Sequence, residues 1–177
     1  MTPAHIIHFW FTEAAPKQWW TSTAEFDQLI RSRFGAIHAQ AARCELAGWR
    51  VTPPGRLAEI IVLDQFSRNI DRGTPLAFAN DALALALAQE ALAAGVPAHL
   101  TPEQKVFLYT PFLHSESPAI HAGAAALFQE EGQAAKSAAQ HRAIVDRFGR
   151  YPHRNATLGR TSTDEEIEFL KRPGSSF

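Results

Sequence analysis

Hydroxyl–proline pairs constrain this chain more than any other feature of its sequence. Thr52-Pro53, Thr74-Pro75, Thr101-Pro102 and Ser117-Pro118 each set a capping hydroxyl ahead of a proline, whose fixed φ suits the first position of a helix. Ser22 with Glu25, Thr101 with Gln104 and Thr163 with Glu166 add capping-box spacing, in which side chains at both positions satisfy free backbone donors. Ala-rich runs with few β-branched residues follow these starts, and Gly48 and Gly95 serve as stops. The pattern predicts helices over roughly 23–47, 53–69, 75–94, 102–113, 118–131 and 134–149, with short ones at each end and boundaries good to about 2–4 residues. Leu83, Leu85 and Leu87 alternate as in a strand, but Phe78, Ala82, Leu85 and Leu92 line one helical face, so this segment too reads as helix. The chain is an all-α protein.

With 177 residues, 46% of them hydrophobic and 20% charged, the chain has the composition of a folded globule and not of a disordered segment. Its length suits a single domain over 1–177, with room for two tightly packed helical lobes. One cysteine, Cys44, excludes an internal disulfide and a thiolate metal cluster, which fits a reducing compartment. The longest apolar run, Ala82 to Ala88, is far shorter than the roughly 18 residues that span a bilayer. No basic region precedes the apolar start, as a secretory signal requires. The expectation is a cytoplasmic protein without a membrane span.

The net charge is −1, too small to gather nucleic acid or anionic membrane. Its distribution is uneven: Arg142, Arg147, Arg150, Arg154 and Arg160 stand against the single acid Asp146, a local charge of +4. Of the 17 basic residues 13 are Arg, whose planar fork matches carboxylate and phosphate.

Three clusters carry candidate chemistry. Asp64 and Arg68 share a helix face with Leu57, Ile60 and Ile61, followed by Asn69 and Arg72, so a costly ion pair is driven toward the interior. Pro111-Phe112-Leu113-His114-Ser115-Glu116 ends at a helix break, where His114 and Glu116 suit an acid and a base. The densest runs from His141 through Arg150, Tyr151, His153, Arg154 and Asn155 to Arg160, a donor-rich loop suited to gripping an anion. Each cluster also fits a structural part: an interhelical ion pair, a helix cap, and a loop pinned by Arg to carbonyls and acids. His5 and His8 share a face near Trp10, Phe11, Trp19 and Trp20, but with no third ligand spaced for a metal they read as a plug for the core. Standard cofactor motifs are absent, so no cofactor and no metal is assigned. Asp64-x-Phe66-x-Arg68 returns as Asp146-x-Phe148-x-Arg150, as equivalent helices of a repeat would.

Leu63-Asp64-Gln65-Phe66-Ser67-Arg68-Asn69, then Pro-Phe-Leu-His-Ser-Glu from Pro111, then Arg-Phe-Gly-Arg-Tyr-Pro-His-Arg-Asn and Leu-Gly-Arg ending at Arg160, resemble the bacterial family catalogued as domain of unknown function 924. The resemblance runs nearly the full length. It implies antiparallel helical hairpins, about 7 to 9 helices in all, stacked as in tetratricopeptide-repeat proteins, and carries no established activity. The shared motif residues are Asp64, Arg68, Asn69, His114, Glu116, His141, Arg150, His153, Arg154, Asn155 and Arg160.

Two functions remain open. In the first, the clusters form one pocket: His114, Glu116 and His153 do acid–base work in hydrolysis or group transfer. Asp64, Arg68, Asn69, His141, Arg150, Arg154, Asn155 and Arg160 hold a small anionic ligand. In the second, the helical stack is a non-catalytic module presenting a surface to a partner protein, with a homodimer as one form. RNA binding draws on Tyr151 and the local +4 segment, but overall neutrality opposes it.

Overall fold

The structure, a computed structural model, describes residues 1–128 and 132–176. Every regular element among them is helical, and the number of helices falls in the expected range. The described chain divides into two compact units: Met1–Arg72 with Leu76–Pro111, and Gly73–Pro75 with Phe112–Phe177.

The first unit is built on one buried helix. α1 (Pro3–His8) runs into a π-helical turn (Phe9–Glu13); α2 is Ala24–Ala42. α3 (Pro53–Ile61) continues through a second π turn (Val62–Phe66) into α4 (Ser67–Ile70); α5 is Asp81–Ala93. Leu57 through Ser67 have almost no exposed surface, the signature of a helix packed on all sides. α1 and α5 pack on α3, and α2 packs on α4 and the turn before it. Aromatic rings fill the space around them, with Phe9 4.6 Å from Phe34, Phe34 4.9 Å from Phe66, and Trp10 5.5 Å from Phe107. Of the predicted plug, Trp10 is buried beside Phe9, and Phe11 and Trp19 are half-buried, whereas His5, His8 and Trp20 lie exposed, Trp20 stacked on Phe107.

Predicted starts are where the hydroxyls are. Thr52 accepts from the Gly55 amide, Thr101 and Gln104 complete their box, and Thr163 and Glu166 complete theirs. At α2 the cap is Thr23, which accepts from the Phe26 amide, while Ser22 donates to Asp27. α2 also stops at Ala42 and not near Gly48, because Cys44 takes a left-handed φ of 60°. The apolar stretch Pro75–Ala93 has the length and composition of a membrane-crossing helix. It is broken after a 3-10 turn (Pro75–Phe78), and α5 buries Ala84, Leu87, Ala88 and Ala91.

α6 (Pro102–His114) crosses the division between the units at Pro111. The second unit then holds α7 (Pro118–Ala124), α8 (Gln133–Phe148), a 3-10 turn (Pro152–Arg154) and α9 (Asp164–Leu170). Its apolar core is Ile144, Val145 and Tyr151, with Phe148 and Phe169 against them. The predicted helix over 118–131 gives way to a 3-10 turn at Ala125–Phe128, and its end lies outside the described residues.

Candidate functional site

Asp64, Arg68 and Asn69 belong to the first unit, and each has a partner there. The Asp64 carboxylate is buried, accepts from the Gln65 amide at 2.5 Å and lies 3.3 Å from Arg68. Arg68 turns its fork onto Asp81 at 2.9 and 3.1 Å, with the Phe78 ring 5.8 Å away. Asn69 donates to Asp27 and Ser22, and Arg72 grips the same Asp27. The predicted ion pair is made, but Asp81, its stronger member, was not legible: no spacing rule links α5 to a position 13 residues upstream.

Nearby, Ser67 Oγ lies 2.8 Å from His38 Nε2, the geometry of an activated nucleophile. Its proton, however, goes to the Leu63 carbonyl at 2.5 Å, and Asn80 also donates to the oxygen. His38 must then donate through Nε2, so it is no base toward Ser67. Ser67 is fully buried as well.

The remaining candidates converge in the second unit around Tyr151, whose side chain is completely buried. Its hydroxyl donates to the Leu113 carbonyl, and His121 Nε2 bonds the Ser115 carbonyl at 2.9 Å. These are the orphan acceptors at the end of α6, satisfied by side chains. His141 and His153 flank the Tyr151 ring with centroids 5.8 and 5.5 Å away, the Arg154 guanidinium covers it at 4.6 Å, and His114 lies 6.5 Å from His141. Tyr151 was read within the Arg-rich loop but given no role in a site, and His121 was not singled out, because a lone His in an Ala-rich helix carries no spacing signal.

Two bidentate ion pairs frame the cluster. Glu116 receives Arg160 at 2.6 and 2.9 Å and the Tyr151 amide at 2.7 Å. Burial acts to raise its carboxyl, but Arg160 and that amide outweigh it and hold the group below its usual range. Glu166 receives Arg150 at 2.7 and 2.8 Å, the Asn155 amide at 3.2 Å and the Thr163 amide. The Arg150 hydrogen bonds lead in holding it down to about 2. Asn155 accepts from Arg160, linking the two pairs. Arg147 and Arg142 pair with Glu165 and Asp146. The forks of Arg150 and Arg160 are therefore spent on carboxylates of the same unit.

His121, His141 and His153 are held neutral. Burial, with Arg154 and the neighbouring histidines adding to it, pushes His141 down to about 3. Burial and then Arg154 push His153 down to about 4, and burial also lowers His121. Among the described residues no group of three or more His, Cys, Asp or Glu side chains is arranged to hold a metal ion. An open depression of about 610 Å³ in the first unit is lined by Ile7, Phe11, Thr52, Pro54 and Gln104 among others, and contains none of the predicted site residues.

The sequence echo between 64–68 and 146–150 does not extend to roles. Asp64 is buried against Gln65 and Arg68, whereas Asp146 is exposed and pairs with Arg142.

No match is found among curated proteins. A solved structure of a protein of unknown function from Agrobacterium tumefaciens is similar, at 41% identity over 96% of each chain with a TM-score of 0.91. The family model described as "Bacterial protein of unknown function" matches residues 6–174, and the chain belongs to that family, DUF924.

Proposed function

We propose that the second unit binds a small anion of the phosphate or carboxylate class at His153 and Arg154, with His114 and His141 beside them. The observation that carries this reading is the company Tyr151 keeps: a guanidinium and several imidazoles gathered in a largely buried place, with His153 and His141 held neutral. Groups so strongly displaced by burial and by a named charge are common where ligands bind. A neutral imidazole donates one hydrogen bond without demanding a counter-ion; His141 gives its own to the Ser137 carbonyl, so in this reading His153 supplies the donor and Arg154 the charge. Glu116, Arg160, Arg150 and Asn155 serve as the frame that orients this face. A base of pKa about 4 takes up protons poorly near neutrality, so the reading is binding and not turnover. The single exposed Cys44 supports the cytoplasm as its place of action.

The test is a thermal-shift series with inorganic phosphate, citrate and nucleotides. A ligand at about 100 times its Kd stabilises by roughly 2.7 kcal/mol, or about 5–11 °C at this chain length. Arg154→Lys, which keeps the charge and loses the fork, removes most of the shift; Arg142→Ala, on an exposed surface pair, leaves it intact. No shift with any of these ligands overturns the reading.

A further inference from the structure

One face of the first unit carries both a recess and exposed apolar side chains. The recess is the open depression of about 610 Å³, whose lining includes Pro3, Ala4, Ile7, Phe11 and Pro54. Phe11 extends it into an aromatic surface, with its ring 5.5 Å from Phe107 and 5.8 Å from Trp19. Trp20 stacks on the same Phe107 ring, also at 5.5 Å and only 11° from parallel. Phe107 is buried, whereas Trp20 leaves 62% of its surface in solvent. Thr2 and Thr52 line the recess as well, and their chain neighbours Met1 and Val51 are 59% and 83% exposed.

Single exposed hydrophobic residues are ordinary, but these three stand around one depression. Together they expose on the order of 400 Å² of apolar surface, a patch size that marks interaction sites. With the lining of the recess, the face approaches the roughly 800 Å² that one partner gives to a stable interface. Charge decides what covers it. Among the described residues lining the recess none is Asp, Glu, Lys or Arg, and His8 is the single titratable side chain. The lining therefore offers a charged partner no counter-charge, and an anionic membrane no cation. A two-fold axis, in contrast, sets a patch against itself and opposes every charge with its own sign, so it favours a lining without charge.

We propose that this face is the interface of a homodimer, in which Trp20 of each copy enters the depression of the other. The same patch then supplies both the projection and the recess, as an isologous contact requires. Tryptophan is among the residues that most often carry binding energy at an interface centre. Trp20 rests on Phe107, which meets Trp10 in the core at 5.5 Å, so the ring is held in place beforehand and loses little freedom on association.

Sedimentation equilibrium of the whole protein from about 1 to about 200 µM tests it, because interfaces of this area have Kd values from micromolar downward. The expected mass reaches twice that of the monomer. Trp20→Ala removes the projecting ring, Ala4→Arg obstructs the recess and Val51→Asp adds a charge at the exposed margin. Each is expected to weaken the dimer roughly thirtyfold or more while keeping the helical circular dichroism of the unmodified protein. A mixture of Trp20→Ala with Ala4→Arg is expected to associate more tightly than either alone, since the intact ring of one fits the intact recess of the other; damage to folding does not give that result. A protein that is monomeric at about 200 µM overturns the interface, and sedimentation of that monomer with phosphatidylcholine and phosphatidylglycerol vesicles would give the face to a membrane instead. A dimer that all three substitutions leave intact overturns it equally, because another surface then joins the copies. Should Trp20→Ala fail to melt cooperatively, Ala4→Arg and Val51→Asp carry the test, and a dimer unaffected by both overturns it.

Discussion

Tyr151 shows how one side chain separates scaffold from site. Its hydroxyl is completely buried and serves the Leu113 carbonyl, so Tyr151→Phe leaves a buried acceptor without its donor, at a cost of about 1–3 kcal/mol. Thermal melts should show a fall of roughly 2–12 °C, with any phosphate affinity retained; an unchanged melting temperature would mean that the hydroxyl does not hold the end of α6. Glu116 is predicted to behave likewise. It was read from sequence as an acid or base, yet both of its oxygens are engaged and Arg160 holds it ionised. Glu116→Gln gives up charge-assisted bonds of the kind that contribute about 1.5–3 kcal/mol, and the expected result is a lower melting temperature with the Tyr151 environment loosened. A melting temperature equal to that of the unmodified protein, with lost binding, would instead return Glu116 to the site.

At the level of elements, the helices were legible because their starts are local chemistry. Thr52, Thr101, Ser117 and Thr163 all accept from the amides that their position in the sequence predicts. What was not legible depends on the surroundings. The turn at Cys44 uses a left-handed conformation that a non-glycine residue adopts only under tertiary constraint, and the π turns at Phe9–Glu13 and Val62–Phe66 insert residues that no periodicity announces. For the site, the residue types were readable, whereas the pairing of Asp64, Arg68 and Asn69 with partners inside the first unit, and of Arg150 and Arg160 with Glu166 and Glu116, was not. Gly55 tests the start of α3. A Cβ there would fall 1.9 Å from the Trp49 carbonyl oxygen, so Gly55→Ala must displace backbone. The predicted cost is about 1–3 kcal/mol, read as a lower midpoint in urea with an unchanged slope. If the substitution is silent, the turn before α3 is not packed as described.

Across the whole molecule, the displaced groups set one pH dependence. His141, at about 3 in the folded protein, and His153, at about 4, compare with about 6.5 for an unfolded chain. As pH falls below about 6.5 the unfolded state takes up these protons first, so stability drops at roughly 1 kcal/mol per histidine per pH unit until the folded protein protonates as well. Burial lowers His38 and His121 in the same direction. Carboxylates act lower down: Glu166, at about 2, contributes stability that is complete above the unfolded carboxyl range near 4.3 and lost as pH falls toward about 2. None of these groups places its transition between about pH 6.5 and 8. The melting temperature is therefore expected to be level from pH 8 to about 6.5 and to fall steadily from there to about 4.5, where His141 alone has cost roughly 3 kcal/mol. His141→Leu isolates that contribution. It removes the bond to the Ser137 carbonyl and lowers stability at pH 7.5, but it also removes one proton from the linkage, so its stability declines less steeply between pH 6.5 and 4.5. Equal slopes in the two proteins, or a His141 ring proton signal in nuclear magnetic resonance that titrates near pH 6.5 in the folded state, would show that His141 meets solvent and that the cluster around Tyr151 is open to water.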